Sequence, residues 1–232
     1  MRLERLLFSQ GFGTRQVCHR IVSAGRLSIA GRIESDPERE VALDDGEPFE
    51  VDGVSWPYHA RAVIVLHKPA GFECSAAPRD HPAALSLLPA PLLARGVQPV
   101  GRLDVDTTGV LLLTDDGALL HRLTSPKRRV EKLYDVTVRH PLDERQLAAL
   151  VSGVVLHDDP APVRALRAEA TGPRTLRLAL DSGKYHQVKR MLGAVGNRVE
   201  ALDRTGFAGI TVGGLAVGAW RWMAADEQTR LG

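Results

Sequence analysis

The chain has 232 residues, with 30 Lys and Arg against 28 Asp and Glu, and 44% of its residues are hydrophobic. That length holds one large domain or two smaller ones, and the composition excludes a disordered chain. Two cysteines, Cys18 and Cys74, exclude a disulfide scaffold and a four-cysteine zinc site, and a net charge of +2, taken as an average, gives no sign of a nucleic-acid partner. Both cysteines read as reduced packing thiols, and the apolar runs Leu6-Leu7-Phe8 and Ala62 to Leu66 are too short for a signal peptide or a membrane span. A cytoplasmic protein is expected.

Leu3, Leu6 and Leu7 fall at i, i+3, i+4 and predict a short helix, ended by Gly11-Phe12-Gly13. Thr14 is placed to cap a second helix with an apolar face of Val17, Ile21 and Ala24 and Gly25 as its stop. Leu27 and Ile29 predict a strand, Gly31 a turn, and Val41, Val51 and Val54 further short strands. Ser55 to His59 reads as a linker. Beyond it, Ala62 to Leu66 and Val110 to Leu113 predict buried strands, and Tyr134, Val136 and Val138 a half-buried one. Leu119, Leu120 and Leu123 suggest a short helix, and 142–151 can be helical. Leu176, Leu178 and Leu180 alternate as a strand does. Val188, Met191, Leu192 and Val195 form a helix face ended by Gly196, and Ile210 to Trp222 predicts one or two strands with a Gly213-Gly214 turn. Strands and helices do not alternate regularly, which points to α+β with a mixed, mostly antiparallel sheet.

The charges are segregated. From Met1 to Ile33 the bases are Arg2, Arg5, Arg15, Arg20, Arg26 and Arg32 against Glu4 alone, and 34–54 carries nine acids and only Arg39. Two more basic clusters follow: Lys127-Arg128-Arg129 with Lys132, and Lys184 with His186, Lys189 and Arg190. Arginines at helix ends suit phosphate contact, and the scarcity of aromatics among them favours structured RNA over base stacking along a single strand.

The polar segment Gly101 to Gly109 precedes a buried strand. An Asp beside Arg102 stays ionised and can act as a nucleophile, or Asp104 and Asp106 simply hydrogen-bond turn amides. Asp104-x-Asp106-x-Thr108 also matches the short aspartate motif of haloacid-dehalogenase-like phosphatases, but that motif follows its strand, whereas here the strand comes after. His81, His121 and His186 lack ligand spacing, so no metal site is expected.

Gly101-Arg102-Leu103-Asp104, then Thr107-Thr108-Gly109 and Leu111 to Gly117, closely resembles the active-site motif of RNA pseudouridine synthases. Lys68-Pro69-x-Gly71, Glu131-Lys132-x-Tyr134-x-Val136 and Gly183 to Leu192 resemble three further motifs of that family, in order. The first third resembles the αL RNA-binding module, through Arg2-Leu3, Gly13-Thr14-Arg15, Gly25-Arg26-Leu27 and Gly31. Asp203 stands where the resemblance leads one to expect a histidine.

The resemblance implies an αL module over 1–58 and a catalytic domain over 59–232. It implies isomerisation of a uridine, uridine 516, in 16S rRNA or a small-subunit assembly intermediate, by a monomer without a cofactor. Asp104, Tyr134 and Lys189 would be catalytic, and Arg102, Thr108, His186 and Gln187 would bind substrate. Arg2, Arg5, Arg15, Arg20, Arg26, Lys127, Arg128 and Arg129 would contact RNA. The alternatives are a 23S rRNA synthase of the same family and a non-catalytic RNA-binding assembly factor.

Overall fold

A computed structural model describes residues 1–157 and 159–231. The chain forms two compact units. The first takes 1–62 together with 88–98 and 114–116. Helix α1 (Leu3–Ser9) buries Leu3, Leu6 and Leu7. Helix α2 (Arg15–Ser23) begins where the Thr14 hydroxyl accepts a hydrogen bond from the Val17 amide. Its buried face is Cys18, Ile21 and Val22, not the expected Val17, Ile21 and Ala24, because Cys18 packs as a small apolar side chain and Ala24 already lies beyond the last turn. Burial pushes the Cys18 thiol up to about 11.

Strands β1 (Leu27–Ile29), β2 (Arg32–Glu34), β3 (Pro48–Val51) and β4 (Val54–Pro57) form an antiparallel sheet in the order β2-β1-β3-β4. The β1–β2 and β3–β4 hairpins turn at Ala30-Gly31 and Asp52-Gly53, where all four residues have positive φ, as tight two-residue hairpins require. The stretch read as a linker is therefore largely strand: Trp56 pairs with Phe49, and Phe12 sets its ring edge-on to both. Val41 is not in a strand; its neighbour Glu40 makes a single bridge to Arg2. The later pieces attach through buried polar groups. Arg95, after α3 (Ala90–Ala94), binds Asp115 at 2.7 Å and donates to Gln10 Oε1, which also accepts from the His59 amide.

The second unit is built on a sheet of β5 (Val63–Lys68), β6 (Gln98–Pro99), β7 (Thr108–Thr114), β8 (Lys132–Val138), β11 (Arg167–Gly172), β12 (Thr175–Leu180), β13 (Val199–Phe207) and β14 (Trp220–Trp222). Its order is β11-β12-β8-β13-β7-β5-β14, with β6 on β7. The β13–β7 pair is parallel and the other registered pairs are antiparallel, so the mixed α+β class holds. A separate hairpin pairs β9 (Val154–Leu156) with β10 (Asp159–Val163). Helices α5 (Glu144–Ser152) and α6 (Gln187–Ala194) share one core with β8, β12 and β13. Helix α4 (Gly117–Thr124) and Leu231, just past α7 (Ala225–Arg230), join a second core, which holds Val63, Val65, Val110, Leu112 and Met223. The tail gives one strand, β14; Gly213 and Gly214 have positive φ, and Ile210 only bridges to Phe207.

Gly109 sits at the parallel β13–β7 contact with φ +106°, and a Cβ there would lie 2.3 Å from the Arg204 carbonyl oxygen. Backbone cannot yield as a side-chain tip can. Gly109→Ala is expected to cost about 3 kcal/mol or more, lowering the melting midpoint by roughly 6–12 °C in thermal unfolding.

Candidate active site

The loop joining β6 to β7 carries Asp104, and a buried lysine shapes it. Lys68, at the end of β5, is fully buried, and its ammonium donates to the carbonyls of Pro69 (2.9 Å), Asp104 (3.1 Å), Val105 (3.3 Å) and Thr107 (2.8 Å). Burial holds this lysine below the ordinary lysine value. The Gly71 amide donates to Val105 O and the Leu103 amide to Cys74 Sγ, so the loop is tied on both sides of Asp104.

Helix α6 supplies the cation. Lys189 Nζ lies 3.1 Å from Asp104 Oδ2 and 2.7 and 2.9 Å from the two Asp106 oxygens. Burial pushes Lys189 down, but its hydrogen bonds to Asp106 and Asp104 outweigh that and leave it above the usual value. Burial likewise pushes Asp106 up, and the Lys189 contact overrides it to a net lowering. Lys189 thus bridges two carboxylates, not one, and Asp106 holds it in line. His186 Nε2 stands 3.6 Å from Asp104 Oδ1.

Asp104 opens onto a cavity of about 410 Å³. Arg102, Tyr134, Lys132, His186, Gln187 and Arg204 are among its lining residues. Tyr134 is buried on β8, so its ring forms wall and not rim. Gln187 braces the wall: its Oε1 accepts from the Lys184 amide, and its Nε2 donates to Ser182 Oγ. Tyr185, 76% exposed, stacks on His186.

Of the residues expected to bind substrate, Thr108 is not brought to this cavity. Its hydroxyl donates to Asp203 at 2.5 Å, and both line a separate groove with Asp106, Asp135 and Glu200. Asp203 is thereby given a partner within the fold. Among the basic residues, Arg5, Arg15, Arg20, Lys127, Arg128 and Arg129 are exposed. Arg26 is held bidentately by Asp52 at 2.6 Å, and Arg2 pairs with Glu38 at 2.6 Å, so acids of the 34–54 stretch occupy both guanidinium groups. Lys68, Asp106, Lys132 and Arg204 were not singled out as site residues from sequence. The KPxG and KxY motifs contain two of them, but only the strand register puts Arg204 beside Tyr134. Among the described residues no three His, Cys, Asp or Glu side chains come together as metal ligands, and no helix is long and apolar enough to cross a membrane.

Residues 62–194 match the model of the RNA pseudouridylate synthase family. This chain belongs to that family. The synthase is 36% identical to the ribosomal small subunit pseudouridine synthase A of Yersinia pestis, over 100% of this chain and 98% of that one. It is 36% identical to the protein of the same name from Escherichia coli K12, over 98% of each. A crystal structure of a pseudouridylate synthase matches with a TM-score of 0.70 and 31% identity, over 100% of both chains. The synthase reaction, conversion of uridine to pseudouridine in RNA, is therefore the chemistry of this chain. The fit to a phosphatase motif is set aside, because the chain matches the synthase family over its length.

Proposed function

We propose that this synthase isomerises a uridine of small-subunit rRNA, with uridine 516 of 16S rRNA as the target. The observation that carries the reading is the Asp104 carboxylate, held at 3.1 Å by Lys189 and fixed by the Lys68 clamp, opening on a cavity walled by Tyr134. The names of the full-length relatives favour the small subunit over the large.

In this reading the target nucleotide swings out of its helix into the cavity, because the base edge is unreachable in a stack. Arg102, exposed at the mouth, takes up the space it leaves. Asp104 is the nucleophilic carboxylate against which the C1′–N1 bond opens. Lys189 keeps it charged and aimed, while Asp106 keeps Lys189 in place. Tyr134 stacks under the uracil as it turns to present C5, and His186 and Gln187 shape the rim and wall. Atoms are conserved, so the chain acts without a cofactor. Residues 1–58 form an αL module whose Arg5, Arg15 and Arg20 meet phosphates, together with Lys127, Arg128 and Arg129 of the 59–232 domain. Arg2 and Arg26, committed to acids, contribute as parts of ion pairs. The protein works as a cytoplasmic monomer on the RNA or an early particle.

The test is tritium release from C5-labelled 16S and 23S transcripts and from partly assembled small subunits. Release from 16S rRNA near one per molecule is expected, and release from 23S rRNA alone would overturn the target. Lys189→Ala is expected to lower the single-turnover rate about 100- to 1,000-fold, because Asp104 and Asp106 then face each other without their shared cation. Rapid-quench assays on the same transcript check this, and a rate within threefold of wild type (~0.7 kcal/mol) would contradict it.

A further inference from the structure

Among the described residues, two cations in the floor of the cavity have no carboxylate bound to them. Arg204 is 2% exposed; its Nε donates to Val110 O at 2.8 Å, and its Nη2 is buried without a hydrogen-bond partner among the described residues. Lys132 Nζ donates to Val130 O at 2.7 Å, and both side chains line the cavity with Asp104 and Tyr134. The Phe207 ring lies beneath the pair, 4.9 Å from the guanidinium carbon and 5.7 Å from the ammonium.

A bulge in β13 builds this arrangement. Arg204 pairs with Tyr134 and Phe207 with Lys132, but the register shifts between Arg204 and Gly206. In an unbroken strand, residues three apart point to opposite faces. The extra residue turns Arg204 and Phe207 to the same side, beside Lys132 and Tyr134. Bulges re-aim side chains in this way next to active sites.

Burial and the charge of Arg204 push Lys132 down to about 8, against a smaller opposite pull from Asp181. Two like charges and a spare buried donor are unfavourable while the cavity is empty and become favourable when an acceptor carrying negative charge enters.

We propose that Arg204 and Lys132 form a cationic subsite that stabilises the uracil ring after it detaches. The inference rests on the synthase reading of the cavity. When the C1′–N1 bond breaks, its electron pair leaves with N1, and the uracil carries a negative charge spread over O2 and O4. Arg204 Nη2 and the Lys132 ammonium are the donors for those oxygens, and Phe207 holds them in place. Asp104 takes the place of N1 at C1′; the ring then turns, C5 bonds to C1′ as the Asp104 oxygen leaves it, the C5 proton departs and N1 takes one up, so nothing is gained or lost overall.

A leaving-group comparison separates this role from a structural one. Fluorine at C5 withdraws electrons, so a detached 5-fluorouracil needs less stabilisation; C1′–N1 cleavage and C5–C1′ joining still run on it, and only the later loss of a C5 proton is blocked, so loss of the starting nucleoside is read and not pseudouridine formation. Consumption of uridine and of 5-fluorouridine at the target position is measured under single turnover for wild type, Lys132→Gln, Lys132→Arg and Arg204→Lys, with melting midpoints taken alongside. Lys132→Gln is expected to slow uridine about 100-fold and 5-fluorouridine less than about 10-fold, with Lys132→Arg retaining most of the rate on both. Arg204→Lys is expected to show the same skew towards uridine. Equal losses on the two substrates, or no loss on either, would overturn the subsite. The comparison runs on whichever RNA the wild-type enzyme accepts, so a wrong target and a wrong subsite give different results.

Discussion

Asp104→Asn is expected to abolish pseudouridine formation, by about 10⁴-fold or more in single turnover, while the protein stays folded and keeps its RNA affinity. Asparagine has nearly the same shape but neither the charge nor the nucleophilic oxygen pair. The surroundings do not depend on that charge for their order. Lys189 retains both oxygens of Asp106, and Lys68 holds the backbone carbonyl at position 104, not the side chain. A melting midpoint close to wild type with no detectable product is the expected pair of results. Rapid-quench assays with product mapping, together with filter binding of the same RNA, check it; turnover within 100-fold of wild type would remove Asp104 from its role.

Lys68→Met is expected to damage both stability and turnover, although Lys68 lies behind the cavity. The ammonium has three protons shared among four carbonyls, three of them from the loop that carries Asp104. Methionine fills the space but donates nothing, leaving buried carbonyls unpaired at about 1–3 kcal/mol each. A net loss on the order of 3–5 kcal/mol follows, seen as a fall of roughly 6–20 °C in the melting midpoint. The loop then relaxes, and a displacement of about 1 Å at the carboxylate costs on the order of 100-fold in rate. Lys68→Arg does not restore it, because a planar fork cannot replace a compact ammonium inside a ring of carbonyls. Denaturation curves and single-turnover rates for Lys68→Met and Lys68→Arg test this. Wild-type stability in Lys68→Met would contradict the clamp.

How much of this was legible in the sequence differs from residue to residue. The leucines of α1, the Thr14 cap and the apolar face of α6 are local patterns, and each formed the element its spacing predicts. The turn at Gly31 was visible for the same reason: φ is a property of one residue and its neighbours. What failed was non-local. Nothing in Trp56 itself says that it pairs with Phe49 and lies within a strand. Nor does anything in 88–98 or 114–116 announce that they pack with the first 62 residues, because Arg95, Asp115 and Gln10 become partners only after folding.

The site divides along the same line. Asp104, Tyr134 and Lys189 were picked out by motif, and the fold brings Asp104 and Tyr134 to one cavity and Lys189 onto Asp104. Asp106 was visible as a neighbouring acid, but its grip on Lys189 depends on how α6 docks. Thr108 was expected at the substrate and instead caps Asp203, since its register in β7 turns it into another groove. Arg204 gave no signal at all. Its position is set by a parallel pairing to Gly109 and by a bulge one residue further on, neither of which has a one-residue signature. Charge misled in the same way. The average of +2 hides a basic head and an acidic stretch, and the fold then ties Arg2 and Arg26 of the one to Glu38 and Asp52 of the other.

The most direct test is pseudouridine mapping across 16S and 23S rRNA from a strain lacking the gene, complemented with wild type or with Asp104→Asn. One small-subunit pseudouridine, at uridine 516, should be absent from the deletion strain, restored by wild type and not by the variant. Restoration by Asp104→Asn, or loss of a 23S rRNA site with 16S rRNA unchanged, would contradict the account.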